Sequence, residues 1–270
     1  MVMPAIVRSG ALEGGLAFFG GPYNNHLALR AAIDDARSRG AARHFCLGDL
    51  GGFGPNPGKI YPLLQENDVF TIAGNYDRSL AERLSDCGCG YTHPDDNRYA
   101  QLSFDYTNRR TTDAERGWLA ALPEQAAFER RGRRHLLCHG SPRRTNEFLW
   151  ESASSDAFLV RLAREAGADT ILCTHTGIPW QRLLPGGARV INVGAVGRPA
   201  NDGRTEVWYA WLPPDSDAAE FVPVSYDHEA LAREMEEERL PAPFVATIRT
   251  GWWTTCLEIL PAKERARGRH

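Results

Sequence analysis

The chain has 270 residues, of which 43% are hydrophobic and 24% charged, and its formal net charge at pH 7 is -3. These values are ordinary for a soluble globular protein with one large α/β domain or two smaller ones. The small negative charge excludes a general electrostatic attraction to nucleic acid or to an anionic membrane surface.

Its apolar runs are all too short to span a bilayer, and residues 1–15 lack the unbroken apolar core of a secretory signal. A cytoplasmic location is therefore expected. No internal repeat, linker or shift in composition divides the sequence, so we expect residues 1–270 to form a single domain.

The first half of the chain reads as alternating strands and helices. A core strand at 16–19 is followed by a helix at 26–39, which Asn24 or Asn25 can cap and Gly40 ends. The next strand at 43–47 completes a β-α-β unit, which is almost always right-handed. A Gly- and Pro-rich loop then leads to a short helix at 60–66, a strand at 69–73 and a helix at about 78–84.

Residues 86–111 break this alternation, because they are polar, aromatic and rich in turn residues without a clean period. We interpret them as an excursion over the edge of the sheet, forming a small cap beside the ligand crevice. The sequence from Thr112 to Glu115 then has the form of a capping box and starts a helix to about Leu122.

The second half continues with a strand from His135, a helix at about 155–166 and a strand at 169–173. Little helical sequence separates the next strands, so antiparallel pairing is expected among 188–193, 206–212 and 220–226. Asp227 caps a helix through Arg239, and Pro241 starts another. The pair Trp252 and Trp253 is expected to be buried against the sheet or against a second copy of the chain.

Four short apolar runs stop at a residue that can bind a metal ion: Asp49, Asn75, His139 and His175. Runs of this length bounded by glycine are typical of buried strands. The carboxyl ends of parallel strands line one crevice, where open α/β sheets bind their ligands. Two oxygen and two nitrogen ligands suit a divalent transition metal such as Zn, Mn or Fe.

The six cysteines do not point to a separate metal site. Cys46, Cys138 and Cys173 lie inside apolar strands, where a reduced cysteine packs as a small hydrophobe. Cys173 also faces the same side of its strand as His175, so a ligand role remains an alternative for it. Cys87 and Cys89 lack the two-residue spacer of a zinc knuckle.

At this point the motifs resemble a known family. Gly48-Asp49, Gly74-Asn75-x-Asp77, His139-Gly140 and Thr174-His175 occur in the order and spacing of the calcineurin-like metallophosphoesterases. The phrases HGSPRR, NVGAVGRP and DCGCGYTHPDDNRYAQLSFDYT are similar to its bacterial diadenosine-tetraphosphatase-like or YfcE-like branch. The resemblance covers about residues 16–226 and implies an α/β fold, a layered α/β/β/α sandwich with mixed sheets.

This resemblance implies two metal ions about 3.5–4 Å apart, bridged by Asp49. Asn75, His139 and His175 would complete the shell of the second ion. The first ion lacks its ligands, because the family's Asp-x-His is replaced by Gly21-Pro22-Tyr23 and Gly177 stands where the last histidine is expected. We therefore expect a divergent member that uses a single ion.

The resemblance also assigns proton transfer to residues 76 and 77. The family's histidine that assists the leaving group is replaced by Tyr76, while its partner Asp77 is retained. A phenol with an ordinary pKa near 10 is a poorer proton shuttle than histidine at neutral pH. Tyr76 and Asp77 are nevertheless the catalytic candidates.

Other groups must hold the substrate's charge if one ion is missing. The turn from Gly20 to Asn25 leads into a helix N-terminus, where free N–H groups attract anions, so Gly21, Tyr23 and Asn24 are candidates for substrate binding. The alternative is that the glycines only permit a tight turn. Arg143 could clamp a phosphate, or it could form a surface pair with Glu147.

Two functions follow as hypotheses. The first is a metal-dependent hydrolase of a phosphate monoester, phosphodiester or nucleotide. The second is a non-catalytic relative that binds a phosphorylated ligand or a protein partner in the same crevice. In either case we expect a small phosphorylated ligand and no nucleic-acid or membrane partner. Whether the chain forms a homo-oligomer stays an open alternative.

Overall fold

The computed structural model describes residues 6–266, in which short strands alternate with helices along most of the chain. The strands are β1 Ile6–Ala11, β2 Gly15–Phe19, β3 Ala41–Cys46, β4 Phe70–Thr71, β5 Gln125–Arg130, β6 Arg133–Leu137, β7 Thr170–Cys173, β8 Trp180–Leu183, β9 Arg189–Asn192, β10 Val207–Leu212 and β11 Glu220–Val224. The helices are α1 His26–Ser38, α2 Ile60–Glu66, α3 Asn75–Ala81, α4 Pro94–Arg110, α5 Asp113–Ala120, α6 Asp156–Ala166, α7 His228–Glu237, α8 Ala242–Thr250 and α9 Ala262–Arg265.

Two mixed sheets lie face to face. One has the strand order β11-β10-β2-β3-β4, and the other β1-β5-β6-β7-β9-β8. The strands β2, β3 and β4 are parallel, and so are β6, β7 and β9. The pairing of β10 with β11 is antiparallel, as predicted for strands without a helix between them. The strand β9 differs from the prediction, because it lies in the other sheet, where it pairs parallel with β7 and antiparallel with β8.

The layers follow from the period of two along each strand. In β2, Leu16 and Phe18 point into the space between the sheets, whereas Ala17 and Phe19 pack under α1 and α2. The space between the sheets contains the stacked rings of Phe18, Phe45 and Phe128. On the far side, α6 covers the second sheet with its apolar face. The predicted α/β/β/α sandwich is thereby confirmed.

The segment 86–111 differs from the expectation, because most of it is the 17-residue helix α4. The side chain of His93 accepts a hydrogen bond from the N–H of Asp95, Pro94 occupies the first turn, and Arg109 and Arg110 lie in the last turn. Only a narrow face of α4 is buried, so its sequence shows no strong apolar period. The helix does lie beside the crevice, where Ser103 is one of the residues that line the cavity.

Three strands escaped the sequence analysis: β1, β5 and β8. Each mixes charged or amide side chains with short apolar ones, for example Gln125 to Arg130 in β5. The buried guanidinium of Arg130 donates hydrogen bonds to three backbone carbonyl groups, those of Gly14, Pro213 and Ser216. Because a charged residue occupies a buried position of this strand, the strand cannot be identified from hydrophobicity alone.

None of the helices within residues 6–266 combines the length and apolar character needed to cross a membrane.

Candidate metal centre

The ends of four structural units meet at one point. The loops after β3, β6 and β7 bring a carboxylate oxygen of Asp49 and ring nitrogens of His139 and His175 within 4.8 Å of one another, and all three side chains are buried. Asn75 begins α3, directly after β4 and Gly74. The convergence predicted from the strand tips is therefore present for Asp49, His139 and His175, although β3 belongs to one sheet and β6 and β7 to the other.

Asp49 is held by its own backbone and by Asp77. Its φ of +57° is in the left-handed region, which costs a residue other than glycine about 1–2 kcal/mol. The Asp77 carboxylate accepts hydrogen bonds from the N–H groups of Asp49, Leu50 and Gly74 at 2.7, 2.9 and 2.8 Å. The N–H of Tyr76 donates to Asp49 Oδ1 at 3.1 Å. These contacts fix the direction of the Asp49 carboxylate.

His139 is oriented as a metal ligand. Its Nδ1–H donates to the carbonyl of Leu47 at 2.6 Å, which leaves Nε2 as the free nitrogen. This Nε2 lies 3.0 Å from Asp49 Oδ2 and 3.1 Å from His175 Nδ1. Burial lowers the pKa of His139, but the nearby Asp49 carboxylate outweighs burial and raises it overall. The same attraction outweighs the effect of burial on Asp49 and lowers the pKa of that carboxyl.

His175 also has a left-handed backbone, with φ of +63°. Its loop is held by Asn192, whose Nδ2 donates to the Thr174 carbonyl at 2.9 Å and to Thr176 Oγ1 at 2.8 Å. Burial and the neighbouring His139 lower the pKa of His175 to about 3, so its ring is neutral and able to act as a ligand at physiological pH.

Asn75 supplies the test of whether these residues fit a metal ion. Its Nδ2 donates to the carbonyl of Cys87 at 2.9 Å, whereas its Oδ1 is buried without a hydrogen-bond partner in the described structure. A buried carbonyl oxygen without a partner is costly unless a ligand satisfies it. Together with one carboxylate and two imidazoles, this oxygen completes a donor set that suits a divalent transition metal.

The space beside this centre is filled by aromatic rings. A Cβ added to Gly21 would lie 2.4 Å from the ring of Tyr23, and one added to Gly177 would lie 3.5 Å from the indole of Trp253. The expected ligands of a first ion are thus replaced by glycines, and the rings of Tyr23 and Trp253 cover the two positions. Trp253 is buried within its own chain, where its indole N–H donates a hydrogen bond to the carbonyl of Pro199.

A cavity of about 90 Å³ opens beside Asp49 and His175. Of the residues assigned to catalysis and substrate binding, Tyr23 and Tyr76 line this cavity, but Asn24, Asp77 and Arg143 do not. Nine of the residues that line it are aromatic: Tyr23, Phe53, Tyr76, Tyr91, Tyr99, Phe148, Trp150, Phe244 and Trp253. The site is therefore a small, largely apolar pocket that is lined in part by the candidate metal ligands Asp49 and His175.

The geometry does not favour the two proton-transfer candidates. The hydroxyl of Tyr76 is buried on the side of Ser103 and Thr107 of α4, and burial raises its pKa far above the ordinary value. Asp77 is fully buried, with its oxygens engaged by three backbone N–H groups. Burial and Asp49 raise the pKa of Asp77 to about 6, which leaves it ionised at neutral pH. Asp77 shapes the loops rather than touching a substrate.

Asn24 and Arg143 require correction as substrate ligands. The Nδ2 of Asn24 donates to the Gly54 carbonyl and to Thr107 Oγ1, so Asn24 joins two loops inside the protein. Arg143 forms a two-pronged ion pair with Glu147 outside the cavity, as in the alternative interpretation. In the turn itself, the N–H groups of Tyr23 and Asn24 donate to the carbonyls of Asp49 and Leu50 and are not free for an anion.

Sequence reasoning missed Arg198, which lies in the phrase NVGAVGRP and lines the cavity. A lone cation within a run of glycine and small apolar residues was the available signal, since such a segment is expected to be buried. Cys173 packs under α6, as expected, and is not part of the ligand cluster. Cys87 and Cys89 are joined in a disulfide, which the sequence analysis did not predict.

The comparisons with known proteins agree with this geometry. The sequence profile described as the calcineurin-like phosphoesterase superfamily domain matches residues 24–212. An uncharacterized protein of Methanocaldococcus jannaschii is 25% identical over 235 residues, which cover 81% of this chain and 90% of that protein.

Solved structures share the fold. A hypothetical protein from Pyrococcus horikoshii superimposes with a TM-score of 0.74 at 20% identity, covering 88% of this chain and 98% of the other. A metallophosphoesterase from Sphaerobacter thermophilus superimposes with a TM-score of 0.69 at 23% identity, covering 89% and 100%. Because the matched profile spans well over half of the sequence and includes Asp49, Asn75, His139 and His175, the chain belongs to the calcineurin-like phosphoesterase superfamily.

Proposed function

We propose that this protein is a metal-dependent phosphoesterase that uses one divalent ion, of Mn, Fe or Zn, to hydrolyse a small phosphate ester or nucleotide. The observation that carries the proposal is the gathering of Asp49, His139 and His175 within 4.8 Å, with Asp49 and His175 lining a cavity. The buried Oδ1 of Asn75, without a hydrogen-bond partner in the described structure, adds a fourth candidate donor. Two of these residues adopt unfavourable left-handed backbones, which persist at sites where function requires them.

Each of the four ligands has a role that its contacts support. Asp49 and Asn75 would supply oxygen, and His139 and His175 nitrogen. A bound ion of this kind polarises a phosphoryl oxygen and lowers the pKa of a water molecule. The protein's own contribution is to orient these donors through Asp77, Leu47 and Asn192, and to exclude bulk water with the aromatic wall of the cavity.

The proposal of a single ion rests on the neighbouring space. Gly21 and Gly177 offer no ligand, and the rings of Tyr23 and Trp253 lie over them. Metal analysis of protein purified with Mn, Fe or Zn is expected to give one ion per chain. Two ions per chain would contradict this part of the proposal and leave the hydrolase itself standing.

The activity is tested with a screen of aryl phosphates, phosphodiesters and nucleotides in the presence of each metal. Asp49→Ala and His139→Ala are expected to lower turnover at least 1,000-fold, because each removes a buried ligand, whereas His93→Ala on the exposed end of α4 should retain wild-type turnover. Equal turnover in wild type and Asp49→Ala would contradict the proposed site.

One observation favours the second function, a relative that binds without turnover. Tyr76 replaces the histidine that the family uses for the leaving group, and its hydroxyl is buried against α4. Binding of a phosphorylated ligand with no hydrolysis under any of the three metals would support that function. Hydrolysis restricted to good leaving groups, such as aryl phosphates, would instead support the enzyme, because these groups leave without a proton donor.

A further inference from the structure

Arg198 is a buried cation on the wall of the cavity. Only 8% of the surface of Arg198 is exposed to solvent. The guanidinium carbon lies 3.9 Å from the ring centre of Trp253 and 4.9 Å from that of Phe53. These flat contacts hold the guanidinium by its faces and leave its edges, which carry the N–H donors, for hydrogen bonds.

The donors of Arg198 are only partly used. One terminal nitrogen donates to the carbonyl of Thr255 at 2.8 Å, whereas Nε has no partner in the described structure. Among the described residues Arg198 forms no ion pair with an aspartate or glutamate, and Asp96 is the acidic side chain whose charge acts on it through space. The nearby carboxylate of Asp96 accepts hydrogen bonds from the N–H groups of Glu258 and Ile259. A buried charge without a counterion is costly, so this arrangement calls for an anion from outside.

Arg198 is anchored to the turn that lacks the family's ligands. The N–H groups of Val196 and Gly197 donate to the carbonyls of Gly20 and Gly21 at 3.0 and 2.9 Å. A Cβ on Gly197 would lie 2.2 Å from the carbonyl oxygen of Pro22, so the two segments are in direct contact. Arg198 and the candidate metal ligands Asp49 and His175 thus line the same cavity.

We propose that Arg198 binds the phosphoryl group of the substrate, supplying from a fixed guanidinium the positive charge that a second metal ion supplies in two-ion relatives. This inference rests on the proposed function for the identity of the substrate as a phosphate ester, but the anion site itself exists without the metal. A planar fork of N–H donors matches two oxygens of a phosphate.

The size of the cavity defines which part of the ligand enters. An engineered cavity of about 150 Å³ takes up one benzene ring, and this cavity is smaller, with about 90 Å³. The phosphoryl group therefore occupies the cavity, and the organic part of the ester extends through its mouth. The site selects for a terminal, accessible phosphate more than for a particular organic group.

The test measures inorganic phosphate binding to metal-free protein, by calorimetry after chelation, so that turnover plays no part. Arg198→Gln should weaken phosphate binding at least tenfold relative to wild type. The matched control is Arg143→Gln, which removes an arginine already paired with Glu147 and should retain the wild-type dissociation constant. Circular dichroism checks that each variant is folded.

Arg198→Lys serves as the second variant if the glutamine variant does not fold. It keeps the charge but loses the fork, so phosphate should bind several-fold more weakly than in wild type. Equal phosphate affinity in wild type and the folded Arg198 variants, or an absence of phosphate binding in wild type, would overturn the inference. Arginine-dependent phosphate binding without hydrolysis under any metal would instead overturn the proposed hydrolase and leave the Arg198 site in place.

Discussion

Asp77 shows how a single buried carboxylate can organise a site without touching a ligand. It accepts hydrogen bonds from three N–H groups of the loops that carry Asp49 and Asn75. Asp77→Ala would leave these donors buried and unsatisfied, so we expect the free energy of unfolding to fall by about 3 kcal/mol or more. Urea unfolding monitored by circular dichroism measures this loss.

The control is Asp34→Ala, which removes an exposed carboxylate that forms an ion pair with Arg37 one turn along α1. Such a change should alter the free energy of unfolding by less than about 0.5 kcal/mol. If Asp77→Ala were as stable as Asp34→Ala, the assigned role of Asp77 in fixing the loops would be wrong.

At this scale the sequence predicts residues whose position follows from local pattern. Asp49, Asn75, His139 and His175 each stand at the end of an apolar run, and parallel strands bring such ends together. The environments of Arg198 and Tyr76 could not be predicted in this way, because they depend on contacts with distant parts of the chain. Arg198 contacts Thr255, which follows it by 57 residues, and Tyr76 faces Ser103 and Thr107 of α4. Charge and hydroxyl groups alone do not indicate whether they face a cavity.

The helix α4 acts as a wall that holds the cavity loops. Thr107 Oγ1 accepts hydrogen bonds from Asn24 Nδ2 at 3.0 Å and from the N–H of Gly52 at 3.3 Å, and Ser103 accepts one from the N–H of Phe53. Thr107→Val keeps the shape of the side chain but removes the acceptor. We expect the free energy of unfolding to fall by about 1–3 kcal/mol, since two buried donors lose their partner.

The same change should loosen the loop at 51–54, and hydrogen exchange of the Gly52 and Phe53 amides should become faster. Thr92→Val, at an exposed position just before α4, serves as the control and should leave both the stability and the exchange unchanged. Unchanged exchange at Gly52 in Thr107→Val would show that α4 does not hold the loop.

Helices and strands with an apolar period were predictable, including the capping box of α5 and the end of α6 at Gly167. The helix α4 was not, because it buries only a few side chains along one face and is otherwise polar. The strands β1 and β5 pair with each other at one side of the second sheet, and polar or charged residues interrupt the apolar ones in both. An element stabilised mainly by its partners carries little signal of its own.

The stability of the whole molecule depends on pH because the ring of His135 is buried. This residue is fully buried between the sheets, stacked on Phe128 at 4.8 Å, and burial lowers its pKa. Because the unfolded chain binds a proton near pH 6.5 and the folded chain does not, stability falls as the pH drops below about 6.5. The loss continues until the pH reaches the lowered pKa of the folded state.

We therefore expect His135→Phe in metal-free protein to lose less stability than wild type between pH 7.5 and pH 5. The difference can reach about 1.4 kcal/mol per pH unit below pH 6.5. Urea unfolding at the two pH values measures it, and His93→Phe on the surface is the control. A wild-type slope in His135→Phe would show that other groups cause the acid sensitivity.

The ring of Tyr23 over Gly21 has a consequence for the evolution of this protein. A carboxylate restored at position 21 would collide with that ring, since even its first carbon would lie 2.4 Å from it. Restoring a histidine at position 177 would force a bulky side chain into a left-handed backbone against Trp253. A binuclear centre at this place would therefore require changes at positions 21, 23 and 177 together, rather than one substitution.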